Sequence, residues 1–346
     1  MPLKKLRLII ILAVLAYIHP PLPVFSADAA APAPTRKQAS ERRIASRKHV
    51  LLIQPAASRA PILEMIDKAQ TTLDLVIYEM DDSEIMNAMI KAVKRGVKVR
   101  AMFDINSKHF IPNPNPATMK TLAAGGVAVK ESPALFPITH QKTLIADSSS
   151  ALVMSFNLCP AYFGGTRDFG ILTTDANEVS NIVKTFEADW NGKVYKHSTT
   201  PLVWSPDNAR QKLLGLINSS TASLDIYSLE VKDTGIVQAL GAAVKRGVKV
   251  RLIAARLMEG TKEVNAEALA RLSEAGVLSK SMQALFVHGK MVLADYGAAS
   301  ASAYVGSQNF SVSSLDHNRE LGIISVNPEV LKGLREVFDS DWGSIR

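Results

Sequence analysis

The sequence predicts an α/β protein of two homologous halves, each a mainly parallel sheet with helices on its faces. Three observations carry that prediction. First, the stretch Ala92 to Arg100 (AVKRGVKVR) recurs unchanged from Ala243 to Arg251, an offset of 151 residues. The same offset relates Pro55 to Pro206, Arg59 to Arg210, Asp74 to Asp225 and Glu79 to Glu230. Later it settles at 152, relating Asp168 to Glu320, Phe186 to Phe338 and Trp190 to Trp342. Second, strand-like and helix-like segments alternate in each copy, the order that gives parallel strands joined through helices. Third, a unit of roughly 150 residues suits one domain-sized half. Residues 49–195 and 196–346 are therefore expected to be two copies of one unit.

Each copy begins with a short apolar stretch and an amphipathic run. Ile62, Leu63, Ile66 and Ala69 in the first copy, and Leu213, Leu214 and Ile217 in the second, fall on one helical face. Leu73 to Tyr78 and Leu224 to Leu229 then read as strands. Helices are expected from Glu84 to Arg95 and from Ile236 to Arg246. Gly96 and Gly247 stop them, because glycine tolerates the left-handed backbone just past a helix end. The Lys-Arg pair before each glycine complements the negative end of the helix dipole. Val97 to Phe103 and Val248 to Ile253 read as the next strands. Thr143 to Ala146 and Met291 to Ala294 are short and apolar, closed by Asp147 and Asp295. An aspartate in that place is suited to bonding turn backbone rather than to chemistry.

The chemistry sits around those last strands. His140-Gln141-Lys142 followed by Asp147, and His288-Gly289-Lys290 followed by Asp295, both spell HxKxxxxD. Each is trailed by an asparagine in a small-residue turn, Ser155-Phe156-Asn157 and Ser307-Gln308-Asn309. An acidic residue then precedes an apolar run: Asp168 in the first copy, Glu320 in the second. One match to HxKxxxxD is expected by chance in about one chain in fifty of this length, so a lone match carries little. Two in register within a repeat carry much more. In an extended segment His and Lys two apart share a face, so an imidazole and an ammonium can converge on one phosphate. A paired His/Lys/Asn set suits holding a phosphodiester and attacking it without a metal, and neither metal nor cofactor is expected.

Charge and the chain ends narrow the setting. Lys4, Lys5 and Arg7 precede an apolar run from Leu8 to Ile18, and small residues follow near Ser26, the layout of a secretory signal over residues 1–26. Residues 27–48 are Ala/Pro-rich and then basic, the composition of a tether. Export is therefore expected, to a bacterial periplasm or beyond, with membrane tethering if the signal stays uncleaved. Residues 1–48 carry a net +7 of the total +8, so the body is close to neutral. A basic footprint on the fold, usual for nucleic-acid enzymes, is missing, whereas the basic tail suits contact with an anionic membrane. Cys159 is the single cysteine, which excludes an internal disulfide. A monomer is expected.

At these motifs the chain resembles the phospholipase D superfamily, over nearly everything from Val50 to Arg346. The second copy matches best, through Gly306-Ser307-Gln308-Asn309 and Asn318-Arg319-Glu320; the first departs by having Met154 before Ser155. The resemblance implies two α/β halves packed with pseudo-two-fold symmetry around one active site. It implies His140 as nucleophile, His288 as acid/base, Lys142, Lys290, Asn157 and Asn309 around the phosphate, and Asp168 and Glu320 orienting the imidazoles. Asp147, Asp295, Ser155 and Ser307 are the structural members of the motifs. The activity expected first is hydrolysis of glycerophospholipid headgroups through a phosphohistidine. The alternatives are a metal-independent endonuclease and a cardiolipin-synthase-like phosphatidyl transfer. Substrate choice is expected in the stretches before the histidines, with His109 to Pro112 and Leu135-Phe136 as an apolar lip or as loop packing.

Overall fold

The structure is a computed structural model and describes residues 48–106, 112–197, 200 and 202–345. The signal-like segment, the tether up to residue 47 and His109 to Ile111 of the expected lip lie outside the described residues. The first half runs β1 (His49–Gln54), α1 (Ala60–Lys68), β2 (Thr72–Ile77), α2 (Ser83–Lys94), β3 (Lys98–Phe103), α3 (Asn115–Ala124) and β4 (Ala128–Glu131). It continues with β5 (Thr143–Ala146), β6 (Ser150–Met154), β7 (Thr166–Thr173) and α4 (Ala176–Trp190). The second half repeats this with β8 (Leu202–Ser205), α5 (Ala209–Asn218), β9 (Ser223–Ser228), α6 (Thr234–Lys245) and β10 (Lys249–Ala254). A small hairpin, β11 (Met258–Glu259) and β12 (Lys262–Glu263), leads to α7 (Ala266–Glu274), β13 (Leu278–Lys280) and β14 (Phe286–Val287). Last come β15 (Lys290–Ala294), β16 (Ser302–Gly306), α8 (Val312–Asp316), β17 (Glu320–Ser325) and α9 (Pro328–Ser344).

The strand orders state the duplication in three dimensions. One sheet is β1-β7-β6-β5-β2-β3-β4, and the other, read from its opposite edge, is β8-β17-β16-β15-β9-β10-β13. Strands joined through a helix, β2-β3-β4 and β9-β10-β13, pair in parallel as the alternation predicts. β5 and β6 are joined by a short turn, as are β15 and β16 by a slightly longer one, and such a turn reverses the chain. The motif strands also pair antiparallel with β2 and β7, or with β9 and β17, through longer connections, so each sheet is mixed. Gly96 and Gly247 stop α2 and α6 with φ of +92° and +90°, the left-handed backbone expected of them.

The repeated AVKRGVKVR segment has a structural purpose. Arg95 and Arg246, just past the ends of α2 and α6, donate to the Ile66 and Ile217 carbonyls near the ends of the neighbouring helices. Arg100 on β3 grips Asp74 on β2 through two bonds of 2.6 and 2.9 Å and lies 4.7 Å over the Phe186 ring of α4. Arg251 does the same with Asp225 at 2.7 Å and Phe338 of α9 at 4.7 Å. Each half therefore locks its long C-terminal helix to the inner face of its own sheet.

The two inner faces pack on one another in a shared core. Val76, Ile145, Val153 and Ile171 of the first sheet meet Met291, Leu293, Val305 and Ile323 of the second, with Phe186 and Phe338 among them. Each sheet's other face is covered by its own helices, which explains why β5 and β15 are buried throughout. Phe338 is fully buried, edge-on to Tyr227 at 5.2 Å. Phe338→Ala should cost about 3–5 kcal/mol of unfolding free energy. The check is the denaturant midpoint by circular dichroism, which should fall with little change in slope.

Candidate active site

Both motif segments approach the partner half along their backbones. β14, which leads into His288, pairs in parallel with the start of β7 (Phe286 with Thr166, Val287 with Arg167). Its counterpart is a parallel bridge between Thr139 and Arg319, with the His140 amide donating to the Arg319 carbonyl at 2.9 Å. Flanking ion pairs repeat the exchange. Arg167 binds Asp341 through two bonds of 2.7 and 3.0 Å, and Arg319 binds Asp189 at 2.9 Å. Self-complementary contacts of this kind are what a two-fold interface requires.

The carboxylates cross over as well. His140 Nδ1 lies 2.9 Å from Glu320 Oε2, and His288 Nδ1 lies 2.9 Å from Asp168 Oδ1. Each half thus supplies the acid that orients the other half's imidazole. With Nδ1 engaged, Nε2 is left on each ring as the reactive nitrogen. Lys290 Nζ is 3.3 Å from His288 Nε2, while Lys142 Nζ donates to the His140 carbonyl at 2.7 Å and lies 5.0 Å from the Tyr78 ring centroid. Both lysines, both acids and His288 are almost fully buried.

The acids are braced differently. Asp168 accepts from Ser155 Oγ at 2.6 Å, whereas the longer Glu320 reaches Ser314 and, at 3.3 Å, Asn318. Ser307, the partner of Ser155 in the repeat, accepts from the Leu321 amide at 3.2 Å and so holds β17. Burial alone would raise both carboxyls, but the facing imidazoles and hydroxyls hold them below the ordinary carboxylate range. Asn157 donates to Tyr162 at 3.1 Å, and the Asn309 amide N–H donates to Ser314 Oγ at 2.8 Å. The side-chain oxygens of Asn157 and Asn309 are buried without a hydrogen-bond partner among the described residues. Turning either amide over would present its NH2 instead, the group that can hold a phosphate oxygen.

Asp147 and Asp295 stand away from this chemistry. Asp147 accepts from the Gln70, Thr71 and Thr72 amides, and Asp295 from Thr221, Ala222 and Ser223. Both have φ near +50°, a backbone that aspartate tolerates better than most residues. Burial would raise the Asp147 carboxyl, but those amide donors bring it to about 2. Met154, which replaces the usual glycine, is buried in the core. At the matching Gly306 a Cβ would come within 2.5 Å of Gly322 and of the Tyr304 hydroxyl, so the glycine is needed only in the second half. Of the expected lip, Leu135 is exposed, while Phe136 is taken up in packing under the Arg319 guanidinium at 4.1 Å.

The sequence did not single out Tyr78, Tyr162 or Ser314. Tyr78 is edge-on to His140 at 4.7 Å and Tyr162 to His288 at 4.9 Å. Aligning the copies at offset 152 places Tyr162 opposite Ser314, and that substitution was the available signal. Cys159 is buried, and burial pushes its thiol well above the usual range. Among the described residues no group of three or more His, Cys, Asp or Glu is arranged to hold a metal.

Electrostatics fix the protonation states. Burial, then the Lys142 charge, takes the His140 imidazole down to about 4 against the pull of Glu320. Burial and the Lys290 charge take His288 to about 3 despite Asp168. Burial and the Lys290 charge bring Lys142 to about 7, and burial brings Lys290 to about 8. Both imidazoles are therefore neutral and nucleophilic near neutrality, beside ammonium groups suited to an anion. A phosphate bound there offsets the lysine charges and makes an imidazole easier to protonate. The nucleophilic imidazole is competent above its pKa, the acid/base imidazole must carry a proton when it meets the departing oxygen, and the lysines are charged below their pKa values. For a permanently monoanionic phosphodiester, kcat/KM should thus fall above pH 7–8 as the lysines that hold the anion lose their charge. A steady-state pH series with a chromogenic diester checks it.

A family model described as "Cardiolipin synthase, PLD-like domain" matches residues 62–190 and again 213–342, one match per half. A cardiolipin synthase from Clostridium perfringens is 26% identical over 331 residues, covering 80% of this chain and 66% of that protein. Among solved structures, phosphatidylserine synthase from Haemophilus influenzae Rd KW20 superposes with a TM-score of 0.68 at 12% identity, covering 87% of this chain and 88% of that one. Polyphosphate kinase from Porphyromonas gingivalis gives 0.67 at 14% identity, covering 90% and 50% respectively. Both superpositions speak for the fold alone. With both halves matched, and with the duplicated motifs joined across one cleft, the chain belongs to this PLD-like family of the phospholipase D superfamily.

Proposed function

We propose that this protein is a phosphatidyl transferase that moves a phosphatidyl group between alcohols, in the manner of a cardiolipin synthase. The observation that carries the reading is the crossed arrangement of two imidazole–carboxylate pairs with two buried lysines in one cleft. One imidazole attacks phosphorus through Nε2 as the other gives a proton to the departing alcohol oxygen. An incoming alcohol then loses its proton to the second imidazole, attacks phosphorus and releases the first. The lysines neutralise the nonbridging oxygens as charge builds.

Water in place of the alcohol gives hydrolysis through the same first step, so the hydrolase expected from sequence differs only in the acceptor. The family description and the C. perfringens relative's name support transfer over hydrolysis, and lipid over nucleic acid. The near-neutral body supports the same preference. Export and contact of the basic tail with an anionic membrane belong to this reading as proposals. Among the described residues no helix is long and apolar enough to cross a membrane.

Incubation of the full chain with phosphatidylglycerol vesicles in chelator should yield cardiolipin and glycerol. His140→Ala and His288→Ala should each lower turnover by about 10³ or more. Lipid chromatography and glycerol release measure both. No change in any glycerophospholipid, together with cleavage of plasmid DNA or RNA in chelator, would replace this reading with the endonuclease.

A further inference from the structure

Two arginines hold the motif histidines from outside the reacting groups, and the two are anchored unequally. Arg319 brackets the first motif with its backbone: its amide donates to the Ile138 carbonyl, and its carbonyl accepts from the His140 amide, both at 2.9 Å. The next residue, Glu320, holds the His140 ring at Nδ1. Arg167 serves the second motif, its carbonyl accepting from the Gly289 amide at 2.8 Å and the His288 amide at 3.2 Å. The Arg167 guanidinium is bonded through every nitrogen, to both Asp341 oxygens and to the Gln54 carbonyl at 2.7 Å. Asp341 accepts from the Tyr227 hydroxyl as well, at 2.7 Å. Arg319 has one bond, from Nη2 to Asp189 Oδ1 at 2.9 Å; its Nε and Nη1 are buried without a hydrogen-bond partner among the described residues. Val76 stands where the repeat places Tyr227, so the matching hydroxyl is absent there. Yet this pair is the deeper one, its side chains 1% and 2% exposed against 11% and 10% for Arg167 and Asp341.

We propose that Asp189 is a positioning residue whose proton sets, through Arg319, where the His140 ring stands, while Asp341 with its fuller set of bonds keeps His288 in one place. This rests on the reading of His140 as a reacting group. Ionised, Asp189 balances the Arg319 guanidinium and ties the start of β17 to α4. Protonated, it leaves a buried guanidinium without a counter-charge, which is strongly unfavourable. With two N–H groups already unbonded, Arg319 then has little to keep it in place, and His140 is bonded both to its backbone and to Glu320 beside it. Burial, with the Asp207 charge added, outweighs the Arg319 charge and pushes the Asp189 carboxyl up to about 6. His197 belongs to the same cluster: Nδ1 bonds Asp207, Nε2 bonds Thr185 Oγ1 at 2.9 Å, and the ring stacks on Trp204 at 4.4 Å. Burial takes His197 below its ordinary value, against the pull of Asp207 and with the Arg319 and Lys212 charges adding to the effect. Asp189 is ionised above its pKa, so kcat should climb through a limb near pH 6, below the range in which the lysines lose charge.

NMR of the full wild-type chain, labelled with carbon-13 at aspartate carboxyls and nitrogen-15 in histidine rings, tests this in a pH titration without substrate. The Asp189 carboxyl should titrate near pH 6, and the His140 ring resonances should shift with the same midpoint while those of His288 stay nearly in place. Asp189 titrating with no response from His140 overturns the proposal. So does a His140 shift that follows the His197 ring or Lys142 instead, or an equal response in both motif histidines. None of these outcomes touches the phosphohistidine reading, which turnover in the His140→Ala and His288→Ala chains decides separately. A second arm follows the pH profile on a chromogenic diester. In Asp189→Asn the limb near pH 6 should vanish, with kcat about tenfold lower at neutral pH and KM little changed, as for a reacting group held slightly out of place. A limb that survives in Asp189→Asn overturns the proposal too. The wild-type titration needs no variant, so misfolding of Asp189→Asn does not blunt the test.

Discussion

The site depends on one exchange: each half lends its carboxylate to the other half's imidazole. Asp168 reaches His288, and Glu320 reaches His140, both at 2.9 Å. A neutral imidazole held by a carboxylate at Nδ1 has a fixed tautomer and a fixed direction for Nε2. Neither half can provide that alone, because its own acid faces away into its partner. The ion pairs Arg167–Asp341 and Arg319–Asp189, and the paired backbones of the motif segments, hold the halves in the register that the exchange needs. Packing of the two inner faces and formation of the site are therefore one event.

Burial gives the exchange its chemical meaning. Two ammonium groups and two imidazoles taken out of water beside one another disfavour further positive charge. The imidazoles stay neutral and the lysines approach neutral values, so the cleft is poised for an anion that restores the balance. A phosphodiester is such an anion. The difference between Tyr162 and Ser314 then gives two otherwise equivalent rings different surroundings, one enclosed and one facing a polar cleft.

Much of the architecture was readable in the chain. The unchanged AVKRGVKVR segment marked the duplication because Arg100 and Arg251 have the same work, gripping Asp74 or Asp225 and covering Phe186 or Phe338. The HxKxxxxD spacing pointed to the imidazoles and lysines because local geometry alone sets His and Lys on one side. The crossing of the acids was not readable. Asp168 lies nearer His140 in sequence than His288, and only packing of the halves decides which it meets. The antiparallel pairing of β5 with β2 and of β15 with β9 was not readable either, because it joins strands that lie far apart in the chain. Glu79 and Glu230 looked equivalent at matched positions, yet one is buried and the other borders the cleft, because the residues around them differ.

The central claim is the crossed pairing, and nitrogen-15 NMR of the imidazole Nδ1–H groups tests it most directly. Asp168→Asn should shift the ring resonances of His288 and leave those of His140 nearly in place, and Glu320→Gln should do the converse. Asp168→Asn acting on His140, or both substitutions acting on one ring, would contradict the account.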